Sequence, residues 1–160
     1  MNVELELAYD KPQEVGQLFN EYRDHIISQG EDVRRCLEVQ NYDHEVLDLE
    51  LKYGWPDGRL YLAYIGEDVV GCVALKKTDD DYCEIKRLYV RPGYQGKHIG
   101  KILADQVIAD ARQIGYKYMR LDTFPTMERA IAMYKQYGFY VIEKYNDNPA
   151  LTAVYMQLDL

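Results

Sequence analysis

The stretch "YVRPGYQGKHIGKIL", Tyr89 to Leu103, carries the residue types of an anion-binding loop. A strand-like run ends at Val90, Pro92 and Gly93 break it, and a glycine-and-lysine segment opens an amphipathic helix. A helix N-terminus offers unpaired N–H groups and the positive end of the helix dipole, and Gly96 and Gly100 let the backbone approach a ligand closely. A pyrophosphate fits across Gln95, Gly96, Lys97, His98, Ile99, Gly100 and Lys101; an ordinary strand-to-helix turn that uses its glycines for conformation alone fits the same residues. Two phosphate loops are excluded. Aligning Gly96 and Lys97 on a Walker A loop puts Arg91 and His98 where Gly and Ser/Thr belong, and a Gly-x-Gly-x-x-Gly dinucleotide pattern is absent.

The strand feeding this loop, "YCEIKRLYV", has an irregular phase. Strict alternation sets Glu84, Lys86, Leu88 and Val90 on one face and Ile85, Arg87 and Tyr89 on the other, so the apolar phase slips between Ile85 and Leu88. A β-bulge near Lys86 or Arg87 repairs it, and would leave neighbouring backbone N–H and C=O groups unpaired for an extended ligand.

The elements that position these residues follow from periodicity. "VELELA" alternates as a first strand, Lys11 to Gln29 has helical spacing, and a second helical stretch spans Glu45 to Lys52 before the loop "GWPDG". "RLYLAYI", "VVGCVALKKT" and "YCEIKRLYV", separated by "GED" and "TDDD", form an antiparallel run of three strands. After the loop, a helix with Ile99, Leu103, Val107, Ala111 and Ile114 on one face ends at Gly115, and "YMRLDT" returns as a strand, which makes a parallel β-α-β crossover. A helix over "MERAIAMYKQYGF" stops at Gly138, and "FYVIEKY" and "TAVYMQLDL" finish as strands. The expected fold class is α+β: three α/β/α layers around a mixed, mostly antiparallel sheet, in one domain over residues 1–160.

Composition narrows the function. The chain has 160 residues and a net charge of −8, which leaves no extended basic surface for a nucleic-acid backbone or an anionic membrane. A cationic or amine-bearing partner suits that charge, and so does plain solubility. Cys36, Cys72 and Cys83 are odd in number and form no Cys-x-x-Cys pair, which argues against a disulfide framework and against a zinc site; no metal is expected. "MNVELELAYD" has no basic-then-apolar leader and no run reaches membrane-spanning length, so a cytoplasmic location is expected.

Taken in order, "CEIKRLYVRPGYQGKHIGKIL", "GYKYMRLDT" and "AIAMYKQYGFY" resemble the GCN5-related N-acetyltransferase (GNAT) superfamily, which moves an acetyl group from acetyl-CoA to an amine. Its loop pattern Gln/Arg-x-x-Gly-x-Gly/Ala is met at Gln95 and Gly100, with His98 in place of the first glycine. The resemblance implies that the backbone of Leu88, Tyr89 and Val90 pairs with the pantetheine arm like an added strand, and that amides of Gln95 to Lys101 hold the pyrophosphate. It further implies Glu84, eleven positions before Gln95, as general base, directly or through water, and Tyr134 as the proton donor to the departing CoA thiolate. A phenol of reference pKa about 10 can protonate a thiolate of reference pKa about 8.5. The backbone N–H of Leu88 is the expected oxyanion donor in a direct attack through a tetrahedral intermediate. Where the family often has Asn three residues before the Ala of this helix, Met127 precedes Ala130.

The expected function is thus acetyl-CoA-dependent N-acetyl transfer to a small-molecule amine or amino acid. A CoA-binding sensor without turnover, or a protein N-terminal or lysine acetyltransferase, are the competing readings, and a homodimer is compatible with all three. Acceptor recognition is expected from residues 37–56 and from "YNDNPALTAVY", with Trp55, Tyr145 and Asn146 as candidates.

Overall fold

The computed structural model describes residues 2–28, 48–148, 150 and 152–160. Its elements run β1 (Val3–Leu7), α1 (Pro12–Ile27), α2 (Leu49–Tyr53), β2 (Arg59–Ile65), β3 (Asp68–Lys77), β4 (Tyr82–Val90), α3 (Ile99–Ile114), β5 (Tyr118–Thr123), α4 (Glu128–Tyr137), β6 (Tyr140–Ile142) and β7 (Val154–Asp159). This is the order read from periodicity. The start of the expected second helix, the end of the first, and the acceptor segment 37–47 lie outside the described residues, as does Cys36.

One seven-stranded sheet has the order β1-β2-β3-β4-β5-β7-β6. All neighbours are antiparallel except β4 and β5, which α3 joins in parallel. Period-2 alternation sends side chains to two cores. Leu60, Leu62, Cys72, Ala74 and Tyr89 pack with Val15, Leu18 and Phe19 of α1 and with Leu49 and Tyr53 of α2. Tyr61, Ala63, Val73, Leu75, Ile85, Met119, Leu121 and Met156 pack with Leu103, Val107 and Ala111 of α3 and Tyr134 of α4. Helices therefore cover both faces, the expected three layers.

The bulge lies where the phase slipped. In the β3–β4 register Cys72 faces Tyr89 and Ala74 faces Lys86, so Val73 alone spans Arg87 and Leu88. Arg87 sits at φ 58°, a left-handed backbone uncommon outside glycine, and the Cys72 thiol donates to its carbonyl at 3.1 Å. The extra residue returns Leu88 and Val90 to the α3 face beside Ile85, while Tyr89 turns to the α1 side.

Candidate functional site

Pairing between β4 and β5 stops early. Only Tyr82, Cys83 and Glu84 face partners, namely Tyr118, Met119 and Arg120; beyond them the two strands diverge. The wedge so opened is walled by Ile85 to Leu88 of β4, by Leu121 to Phe124 at the end of β5, by Tyr22 and Ile26 of α1, and by Met127, Ala130 and Tyr134 at and within α4. From Ile85 onward the β5-side edge of β4 has no strand partner among the described residues, so its main-chain groups are available to an extended ligand.

The loop follows directly. Arg91 ties its start to α1 through Glu21, with Nη2 and Nε at 2.7 and 3.1 Å from the two carboxylate oxygens, and to β3 through the Val69 carbonyl at 2.9 Å. Gly93 and Gly96 adopt φ 63° and 79°, which glycine reaches without steric penalty. His98 is the N-cap of α3 at φ 62° and makes no side-chain capping bond. His98, at the position where the loop pattern has glycine, thus holds a left-handed backbone at a strain of about 1 kcal/mol. The first α3 bond runs from Ile102 N–H to the His98 carbonyl. Among the described residues the N–H groups of Gly96, His98, Ile99, Gly100 and Lys101 have no backbone acceptor. A Cβ built on Gly100 would meet only Val90 Cγ2, at 3.8 Å. Free N–H groups at a helix N-terminus beside open space fit a pyrophosphate. Of the residues expected to hold a cofactor, Leu88 lines the wedge, Tyr89 and Val90 complete β4, and Gln95 to Lys101 lie past its rim.

Tyr134 is fixed by the sequence that follows it. Gly138 ends α4 at φ 104°, and Phe139 folds back so that its N–H meets the Tyr134 carbonyl at 3.0 Å and its ring sits 5.3 Å from the Tyr134 ring. Tyr134 lines the wedge, and its hydroxyl makes no hydrogen bond among the described residues. Burial, then the neighbouring Tyr22, Asp122 and Tyr137, push its pKa well above the ordinary 10, so the phenol stays protonated.

Glu84 is placed differently from the simple expectation. It is buried, but the wedge wall begins one residue later, at Ile85. Its Oε2 accepts from the Tyr145 hydroxyl at 2.9 Å and lies 3.8 Å from Lys86 Nζ. Its Oε1 has no donor among the described residues. Burial and the charges of Glu84 and Asp122 hold the Tyr145 phenol protonated, so it remains a donor to Glu84.

Residues Lys144 to Asn148, after β6, form a short strap held to Asp122 of β5. Asn146 and Asn148 donate to Asp122 Oδ2 at 2.8 and 3.3 Å, and Lys144 Nζ donates to the Asn148 carbonyl at 2.8 Å. Asn146, one of the expected acceptor residues, therefore meets the wedge through Asp122, whereas Tyr145, another, contacts Glu84 outside its wall. Trp55, the third, is exposed, stacked on Arg59 at 3.4 Å, and does not line the wedge. Asp122 itself carried no motif; the alternation of "YMRLDT", apolar at Met119 and Leu121, was the signal that puts it on the polar face of β5.

The buried cysteines offer no nucleophile. Desolvation pushes the Cys72 thiol up to about 12 and raises Cys83 as well, and only a thiolate attacks.

The acetyltransferase (GNAT) family model matches residues 27–139. An uncharacterized N-acetyltransferase of Schizosaccharomyces pombe is 38% identical over 78% of this chain and 77% of its own. Another, of Dictyostelium discoideum, is 30% identical across 93% of this chain and 94% of its own. In three dimensions, PaiA N-acetyltransferase from Thermoplasma acidophilum, solved in complex with coenzyme A, gives a TM-score of 0.77 over 100% of both chains at 18% identity. An acetyltransferase from Streptococcus agalactiae gives 0.76, covering 99% of this chain and 98% of that one at 22% identity. The chain belongs to the GNAT acetyltransferase family and is an N-acetyltransferase.

Proposed function

We propose that the wedge and loop bind acetyl-CoA, and that the acetyl group passes directly to the primary amine of a small molecule or amino acid, in the cytoplasm and without a metal. The observation that carries this reading is Tyr134, its hydroxyl unpartnered among the described residues, on the wall of a wedge beside a β4 edge that pairs with β5 only as far as Glu84. Acetyl-CoA supplies the activated thioester. Leu88, Tyr89 and Val90 hold the pantetheine arm by main-chain bonds, with the N–H of Leu88, at the bulge, as donor to the thioester oxygen. Gln95, Gly96, Lys97, His98, Ile99, Gly100 and Lys101 cradle the pyrophosphate. Glu84 takes the amine proton through water, held in place by Tyr145, and Tyr134 gives a proton to the leaving sulfur.

Loop variants test the CoA assignment by titration calorimetry with CoA. His98→Gly keeps Kd within about twofold, because main-chain groups make the contacts, and leaves stability unchanged or raised by up to ~1 kcal/mol as strain is relieved. Gly100→Leu weakens CoA at least about tenfold with an unchanged melting temperature, since its side chain enters space that is open only without ligand. Equal affinity in Gly100→Leu and wild type would place the pyrophosphate elsewhere.

A further inference from the structure

Of the residues lining the wedge, Asp122 is the sole carboxylate among those described. Its Oδ2 is occupied by two neutral amide donors, Asn146 Nδ2 and Asn148 Nδ2. Its Oδ1 has no donor, and no cation pairs with it among the described residues. The cations nearby have other partners: of the two on the wedge wall, Lys86 lies 3.8 Å from Glu84 and Arg87 lies 5.8 Å from the Phe19 ring, while Arg120, on the same strand as Asp122, donates to Gln157 at 2.8 Å and stacks on Tyr82 at 3.9 Å. Buried carboxylates are ordinarily paired with a positive group, and none of the described residues supplies one to Asp122.

We propose that the missing cation is the acceptor: Asp122 Oδ1 receives the incoming ammonium group and makes the site selective for amines that carry positive charge at neutral pH. The inference rests on the acetyl-transfer reading above and names a residue that touches the substrate. Electrostatics also give the carboxylate a second use. The nitrogen is positive on entry, loses a proton to reach its nucleophilic form, and becomes positive again as the N–C bond forms, so a fixed negative charge beside it stabilises both charged stages. An N–H to Oδ1 bond meanwhile orients the nitrogen lone pair. Asn146 and Asn148, by holding Oδ2, fix the carboxylate of a residue on the wedge wall and leave Oδ1 without a donor among the described residues. Glu84, outside the wall, keeps the role of proton acceptor through water. The two carboxylates thus separate binding from deprotonation.

The test measures binding of alkylamines, diamines and amino acid esters to the CoA-loaded protein by calorimetry, for wild type and Asp122→Asn. An asparagine side chain can still accept from the strap amides, so the fold is retained. The amines that wild type binds are expected to lose at least about tenfold in affinity in the variant, with CoA affinity and melting temperature unchanged. In turnover, KM for the amine rises more than kcat falls. The proposal is overturned if no amine loses affinity on substitution, or if CoA binding falls in parallel, which would mark Asp122 as a structural support of the wedge. Acetyl transfer that persists with unchanged KM in Asp122→Asn would sink this inference and leave the transfer reading intact. Asp122-dependent amine binding with no transfer would do the reverse.

Discussion

Tyr134→Phe is expected to lower kcat for acetyl transfer roughly 10²-fold or more while leaving affinity for CoA within about twofold. The variant is a clean probe because the hydroxyl it removes makes no hydrogen bond among the described residues, whereas the ring that remains keeps its packing 5.3 Å from Phe139. Stability should be unchanged. A leaving thiolate without a proton donor is the poorer leaving group, so the loss belongs in kcat and not in ground-state binding. The pH profile separates this role from packing. Burial holds the Tyr134 phenol protonated past its ordinary pKa of 10, so wild type shows no fall in rate attributable to this group as pH rises to 10. A Tyr134→Phe enzyme with wild-type kcat would assign the phenol to packing alone.

Glu84→Gln carries the second large effect, a fall in kcat/KM for the amine of roughly 10²-fold near pH 7. Gln can still accept from Tyr145 at the position where Glu84 Oε2 does so at 2.9 Å, so the substitution removes basicity and charge with little change of shape. The sign of the pH dependence is the decisive part. As pH rises, the fraction of acceptor already neutral grows and the need for a base shrinks, so the deficit of the variant narrows towards high pH. A deficit constant across the profile would indicate a structural role, such as the loss of the pairing with Lys86 at 3.8 Å. Set beside Asp122→Asn, which acts on KM, the two variants distinguish the carboxylate that takes the proton from the one that holds the amine.

Much of this framework is legible in the sequence because it is local. Alternation and helical spacing determine each element, and the misplaced phase between Ile85 and Leu88 locates the bulge that the β3–β4 register shows. The Tyr-x-x-x-Gly-Phe spacing sets Tyr134 through a helix end, which is again local geometry. What stays hidden depends on where strands separate. Whether Glu84 or Asp122 faces the wedge is decided by pairing of β4 and β5 ending at Glu84 and Arg120, a tertiary property with no spacing signature. The strap is hidden for a related reason: "FYVIEKY" reads as a long strand, yet β6 covers only Tyr140–Ile142. Asn146 and Asn148 turn the chain towards Asp122, more than twenty residues away in sequence, instead of extending the ladder. His98 was marked by its departure from a glycine position; its left-handed backbone explains why glycine is the residue expected there.

The central claim is tested most directly by incubating the protein with acetyl-CoA and a panel of primary amines and following products by mass spectrometry. The account predicts that at least one small amine gains one acetyl group, with one CoA released per product and the reaction strongly reduced in Tyr134→Phe. Acetyl-CoA bound but never transferred to any amine would contradict it.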